Sequence, residues 1–233
     1  PDNEKEEETI QKLMYIRPFE SNYPVGHAAV VISQIQREID RMLEKTRKNV
    51  EQSYDAVLAG DAGRLEEIQE REDYIDYLNG EIARYIVSLM SVEMSERDTK
   101  SINSYYLMLG NVERIGDHAI NIAEYTQFMK KWEIRLTEEE KEEIVKMKEI
   151  SRQTLEALSL EDETKSAEIL ARVSEGEKEI DEMQKKYLKR QIKRAKKGES
   201  KAECGIMFSE MLTDFERIGD YALNVAQLYD EMA

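Results

Sequence analysis

The stretch ERIGDHAINIA, Glu113 to Ala123, is written a second time as ERIGDYALNVA, Glu216 to Ala226, and eight of the eleven positions are identical. A helix-length motif recurring far along one chain constrains the fold more than any other feature, because it marks two copies of one supersecondary unit. The register extends well outside the motif. EIDRM at Glu38 to Met42 aligns with EIVKM at Glu143 to Met147, an offset of 105, and Asp76 aligns with Asp181 at the same offset. The motif copies themselves are offset by 103, so the halves differ by two residues in a single turn.

Apolar residues recur every three or four positions almost throughout, the signature of amphipathic helices. Val31, Ile35, Ile39, Met42 and Leu43 form the first stripe, with Pro24 as its expected start, since proline suits a first helical turn. AGDAGR (Ala59 to Arg64), SVEMSERD (Ser91 to Asp98), SLEDETKS (Ser159 to Ser166) and KKGES (Lys196 to Ser200) read as breaks, and Thr137 followed by Glu140 reads as a capping box. The predicted fold is all-α: six helices as a tandem repeat of two three-helix bundles. The expected organisation is a charged tail or linker over 1–23, a first repeat over 24–133 and a second over 134–233.

Composition narrows the function classes. The 233 residues carry a net charge of −16, and 36% of them are charged. That sign opposes binding to a phosphate backbone, so nucleic acid is not an expected partner. The lone cysteine, Cys204, excludes a disulfide framework and a thiolate metal cluster and reads as a small buried apolar residue. Apolar runs such as HAAVVI and YIVSLM are far too short to cross a bilayer. With no signal peptide in view, the chain is expected to be cytoplasmic.

The doubled helix carries the chemistry. At about 100° per residue, Asp117, Asn121 and Glu124 fall on the Glu113 side, while Val112, Ile115, Ala119, Ile122 and Ala123 take the opposite arc. The preceding helix repeats a pair of acids four residues apart, Glu72 with Asp76 and Glu177 with Asp181. A hairpin that sets Asp76 opposite Asp117, and Asp181 opposite Asp220, gathers four carboxylates in each half. These are Glu72, Asp76, Glu113 and Asp117, then Glu177, Asp181, Glu216 and Asp220. Such clusters repel themselves unless a cation with oxygen ligands, or a nearby arginine, relieves them. Arg114 and Arg217 are placed for the second alternative, which leaves a metal-free, ion-paired interaction scaffold as a competing reading. Gly116 and Gly219 lie inside the repeated helices at a cost of roughly 1 kcal/mol each against alanine. Close helix approach or ligand access to backbone would account for them.

His118 has Tyr221 as its counterpart and reads as a packing residue, and His27 carries no signal. A carboxylate-bridged di-metal enzyme of the ferritin-like kind is the enzymatic alternative, but it needs Glu-x-x-His on two helices and neither copy has it. KKYLKRQIKRAKK, Lys185 to Lys197, is a basic island in an acidic chain. It reads either as a solvated helix face or as a surface for docking on an anionic membrane leaflet.

ERIGDHAINIAE and ERIGDYALNVAQ, each on the third helix of a three-helix repeat, closely resemble the twin ExxxD motifs of the PhoU family, and the resemblance spans Pro24 to about Glu231. It implies paired three-helix bundles and a non-enzymatic regulator of phosphate uptake and signalling. It further implies metal sites on Glu113, Asp117, Glu216 and Asp220, with Asp76 and Asp181 contributing, and with iron, zinc or manganese as the metal. The entry segment YIRPFESNYPVGHAAVVISQIQREIDRM is similar to the PhoU-like C-terminal domain of bacterial sodium–phosphate cotransporters. In that case the partner is the membrane domain of a phosphate transporter and the chain is tethered at the inner face of the membrane. A homodimer is a further expected assembly.

Overall fold

The computed structural model describes residues 10–17 and 27–233. The expected charged tail over the first nine residues and the helix start at Pro24 lie outside them. Six long helices follow in order: α1 (Ala28–Ala59), α2 (Leu65–Leu89), α3 (Glu96–Lys131), α4 (Glu138–Ala157), α5 (Ser166–Lys196) and α6 (Ala202–Asp230). The described residues contain no strand, and none of their helices is long and apolar enough to cross a membrane.

Local chemistry sets the helix ends. Gly60 closes α1 at φ 61°, its N–H reaching the Ala56 and Val57 carbonyls, a left-handed closure that glycine adopts without strain. Ser95 caps α3 by accepting from the Asp98 N–H. At α4 both arms of the capping box form: Glu140 N–H to Thr137 Oγ1 at 3.2 Å, and Thr137 N–H to Glu140 Oε2 at 2.9 Å. Gly198, at φ 70°, lies in the turn that joins α5 to α6 within KKGES.

The stripe residues Val31, Ile35, Ile39, Met42 and Leu43 are fully buried, and one apolar core runs from them through α3 to Met211, Phe215 and Ile218 on α6. The repeat boundary is therefore not a boundary between cores. The halves meet along α3 and α6, which run antiparallel: Asn111 meets Asn224 at 3.1 Å while Asn121 meets Asp214 at 3.1 Å. They meet again where Arg47 of α1 donates to the Leu155 carbonyl at the end of α4 (2.9 Å) and to that of Leu158. A guanidinium there satisfies carbonyls that the helix end leaves free.

The repeat is not exact in its packing. In the first half α3 lies mainly on α1, whereas in the second α6 lies mainly on α5. Residues 10–17, expected as part of a charged linker, instead lie against α1 and α2 with Ile16 buried. The reason is polar rather than apolar: a buried carboxylate on α1 collects their backbone N–H groups.

Candidate metal centres

Antiparallel hairpins α2–α3 and α5–α6 bring together the acids that the sequence singles out. In the first half, carboxylate oxygens of Glu72, Asp76 and Asp117 come within 4.8 Å of one another; in the second, those of Glu177, Asp181 and Asp220 do the same. Glu113 and Glu216 sit at the margin of these groups. Each feels the neighbouring carboxylates, but neither belongs to the converging triad.

The two triads differ in depth. Glu72 is 3% exposed, and neither of its carboxylate oxygens has a hydrogen-bond partner. Asn49 on α1 is committed elsewhere, its Nδ2 to the Ile68 carbonyl (3.1 Å) and its Oδ1 to Arg71 (2.8 Å). Burial first, then the Asp76 and Asp117 charges, push the Glu72 carboxyl up to about 8, against a smaller downward pull from the neighbouring Asn49 amide, which lies close without a well-formed hydrogen bond to it. Without a bound cation it is mostly protonated at neutral pH. Burial also raises Asp76 and Glu113, each with Asp117 as the next contributor. In the second half, burial and neighbouring acids raise Glu177, Glu216 and Asp220, while the ammonium of Lys185 draws Glu177 and Glu216 back down. The position equivalent to Lys185, at an offset of 105, is Gly80, so the first half lacks this cation.

The two motif glycines serve different neighbours. A Cβ on Gly116 would lie 2.9 Å from Glu72 Oε2, so the bare backbone there lets a carboxylate press against α3. A Cβ on Gly219 would meet the Ile180 side chain at 3.1 Å, a packing requirement.

The arginine alternative fits poorly. Arg114 reaches Asp117 only at 3.7 Å and Arg217 reaches Asp220 only at 3.8 Å, and both arginines are exposed. Exposed pairs at such distances contribute at most about 1 kcal/mol. Among the described residues, Glu72, Asp76, Glu177 and Asp181 take part in no ion pair. The donor set is all carboxylate oxygen, which suits hard cations. A buried carboxylate with two orphaned oxygens, aimed at two further acids, has the form of a metal ligand.

Asn121 does not join the acid face: it donates to Asp214 across the α3–α6 contact. His118 Nδ1 also meets Asp214, at 2.7 Å, and the ring stacks on Tyr221; the Tyr125 hydroxyl completes the group at 2.6 Å. Sequence reasoning missed Asp214, whose counterpart at the motif offset is Asn111. Cys204 is buried as expected, its thiol pushed up to about 11 by burial. Within Lys185–Lys197, Arg194 turns inward to Glu143 (2.7 Å) and Arg190 follows at 3.3 Å, while Lys186, Lys189 and Lys193 remain exposed.

The family profile of the PhoU domain matches residues 39–126 and 144–229, once per repeat. The chain belongs to the PhoU domain family. Among PhoU relatives it is 23% identical over 199 residues to the phosphate-specific transport system accessory protein PhoU homolog 1 of Thermotoga maritima, covering 84% of each chain. It is also 23% identical over 206 residues to the PhoU homolog of Clostridium acetobutylicum, covering 84% of this chain and 89% of that one. The crystal structure of PhoU from Pseudomonas aeruginosa superposes with a TM-score of 0.77 at 20% identity, over 86% of this chain and 96% of that one. The phosphate transport system regulatory protein PhoU from Streptococcus pneumoniae gives 0.75 at 19% identity, over 88% and 96%. The PhoU fold, two repeats of one helical unit, is thus the fold of this chain.

Proposed function

We propose that this protein is a cytoplasmic, non-enzymatic regulator of phosphate transport that holds hard metal ions on its two carboxylate triads and acts on the membrane domain of a transporter. The regulatory part of the reading is supported by the named relatives, accessory proteins of phosphate-specific transport systems. The metal part is carried by one observation: Glu72, buried and without a partner, converging with Asp76 and Asp117. Glu72, Asp76 and Asp117 would hold the first ion and Glu177, Asp181 and Asp220 the second, with Glu113 and Glu216 beside them. Of iron, zinc and manganese, the all-oxygen set favours ferric iron and manganese over zinc, which takes nitrogen and sulfur ligands readily. The metal supplies charge that lets four acids per half coexist; the protein supplies a rigid α2–α3 and α5–α6 frame. With no histidine in either triad, the ferritin-like enzyme reading has no support in the donor set.

Elemental analysis of protein purified without chelator or affinity-metal steps tests the metal reading. Near-stoichiometric iron or manganese is expected, lost in a still-folded variant carrying Asp76→Asn, Asp117→Asn, Asp181→Asn and Asp220→Asn. Equal metal content in both proteins, or none in either, would leave the scaffold reading in its place.

The finer partner readings have separate tests. Attachment to the membrane part of a sodium–phosphate cotransporter, with this chain tethered at the inner membrane face, predicts co-purification with that part. Homodimer formation predicts twice the chain mass by light scattering. Docking through the Lys185–Lys197 helix predicts sedimentation with anionic vesicles, abolished when Lys186, Lys189 and Lys193 become glutamate.

A further inference from the structure

The two halves solve one electrostatic problem in different ways, and the difference points to a second binding site. Glu38 on α1 and Glu143 on α4 are repeat equivalents, and both are buried. Glu143 is neutralised from the second helix of its own half, by Arg194 at 2.7 and 3.1 Å and Arg190 at 3.3 Å. At the same offset the first half has Leu89 and Tyr85, so α2 brings Glu38 no cation from these positions. Glu38 takes Arg41 of its own helix at 3.0 Å and three successive backbone N–H groups from the chain ahead of the bundle. Met14, Tyr15 and Ile16 donate to one Glu38 oxygen at 2.5, 2.5 and 3.3 Å. Three consecutive N–H groups turned to one anion form a concave nest.

The rest of the hold is also made largely to main chain. Arg41 donates to the Lys12 carbonyl (2.7 Å), and the Tyr74 hydroxyl engages the Ile10 carbonyl (3.2 Å) and both backbone groups of Lys12 (3.1 and 3.2 Å). Among the side chains of the segment, Ile16 is buried and Leu13 half-buried, while Arg37 stacks over the Tyr15 ring at 4.1 Å. Ile10 and Met14 are exposed. A segment held by few apolar contacts belongs to the low-stability end of a fold and opens ahead of the core.

We propose that Glu38, Arg41 and Tyr74 form a peptide-docking site whose resident ligand is residues 10–17, and that this segment is a releasable latch on the first half. The site reads mainly backbone, with Ile16 as the one buried side chain of the segment, and so fixes the path of the chain ahead of the bundle. Opening it leaves Glu38 with one counter-charge in place of four donors, and thus links the position of the incoming chain to the packing of α1 and α2. None of this depends on metal binding.

Hydrogen exchange on the full chain tests it. The Met14–Ile16 amides should exchange at least tenfold more slowly than in an unstructured peptide, and at least tenfold faster than the core amides of α3. In Glu38→Gln that protection should fall at least tenfold while α4–α6 are unchanged. Tyr74→Phe, a milder change on a different helix, should loosen the same amides without unfolding α1–α3. A labelled peptide of residues 10–17 should bind the chain once Ile16→Asp has loosened its own latch, and Glu38→Gln should abolish that binding. Three results would overturn the proposal: free exchange of these amides in the unaltered protein, protection indifferent to both variants, or latch amides that open only together with the α3 core.

Discussion

At the residue scale, Glu72 concentrates the behaviour of the first candidate metal centre. Its folded carboxyl lies at about 8, against an ordinary value of about 4.5. The folded, metal-free protein therefore binds this proton more tightly than the unfolded chain does. Its contribution is fully favourable below about pH 4.5 and is lost as pH rises towards 8, on the order of a few kcal/mol in all. Urea titrations of metal-free protein should show falling stability from pH 5 to 8, and Glu72→Gln should flatten that dependence. A cation must displace the same proton, so metal affinity at the first centre should rise with pH over this window, a trend measurable by calorimetry. Gly116 is its structural complement. Gly116→Ala should weaken metal binding at the first centre tenfold or more by pushing Glu72 aside, whereas Gly219→Ala should leave the second within about threefold, its Cβ pressing first on the Ile180 side chain and not on a carboxylate. Most of this site was legible in sequence, because acids four apart on two adjacent helices must share a face. Depth was not: Glu72 and Glu177 are the same residue in register, and only the three-dimensional neighbour distinguishes them. The same limit moved Glu113 and Glu216 to the margin, since a helical wheel gives direction around the axis but not reach.

At the element scale, helix ends were readable where caps write them, as at Thr137 and Gly60. Helix partners were not. Asn121 shares the acid side of a helical wheel, yet α3 meets both α2 and α6, and the boundary between those contacts falls between Asp117 and Asn121. Residues 10–17 likewise gave no hint in sequence that they would pack ahead of α1, because their hold is made largely with backbone N–H groups, which carry no residue signature. Arg194 illustrates what binds α5 to α4. It is 4% exposed and holds Glu143, itself 2% exposed. Arg194→Met should cost about 3 kcal/mol in urea denaturation, since the buried Glu143 carboxylate then keeps only the half-exposed Arg190, at 3.3 Å. The double change with Glu143→Met should recover most of that loss, because replacing both partners by apolar groups is close to neutral.

At the scale of the whole molecule, one core crossing the repeat boundary makes the halves a single cooperative unit. Helix loss by circular dichroism and Trp132 fluorescence should trace one coincident urea transition, and two separated transitions would contradict a shared core. The two candidate metal centres should nevertheless titrate separately. Lys185 competes with a cation in the second half, whereas the first offers an orphaned carboxylate, so the first should fill at lower metal concentration, and Lys185→Gly should narrow the gap. The antiparallel α3–α6 pair carries a last consequence. Asp214 has His118, Asn121 and Tyr125 around it, and at the motif offset those positions become Tyr221, Asn224 and Leu228. A protein assembled from two copies of the second half would set Asp214 against that altered trio, stripping it of the imidazole and the Tyr125 phenol. The α3–α6 contact therefore has two unlike sides, and neither half can stand in for the other.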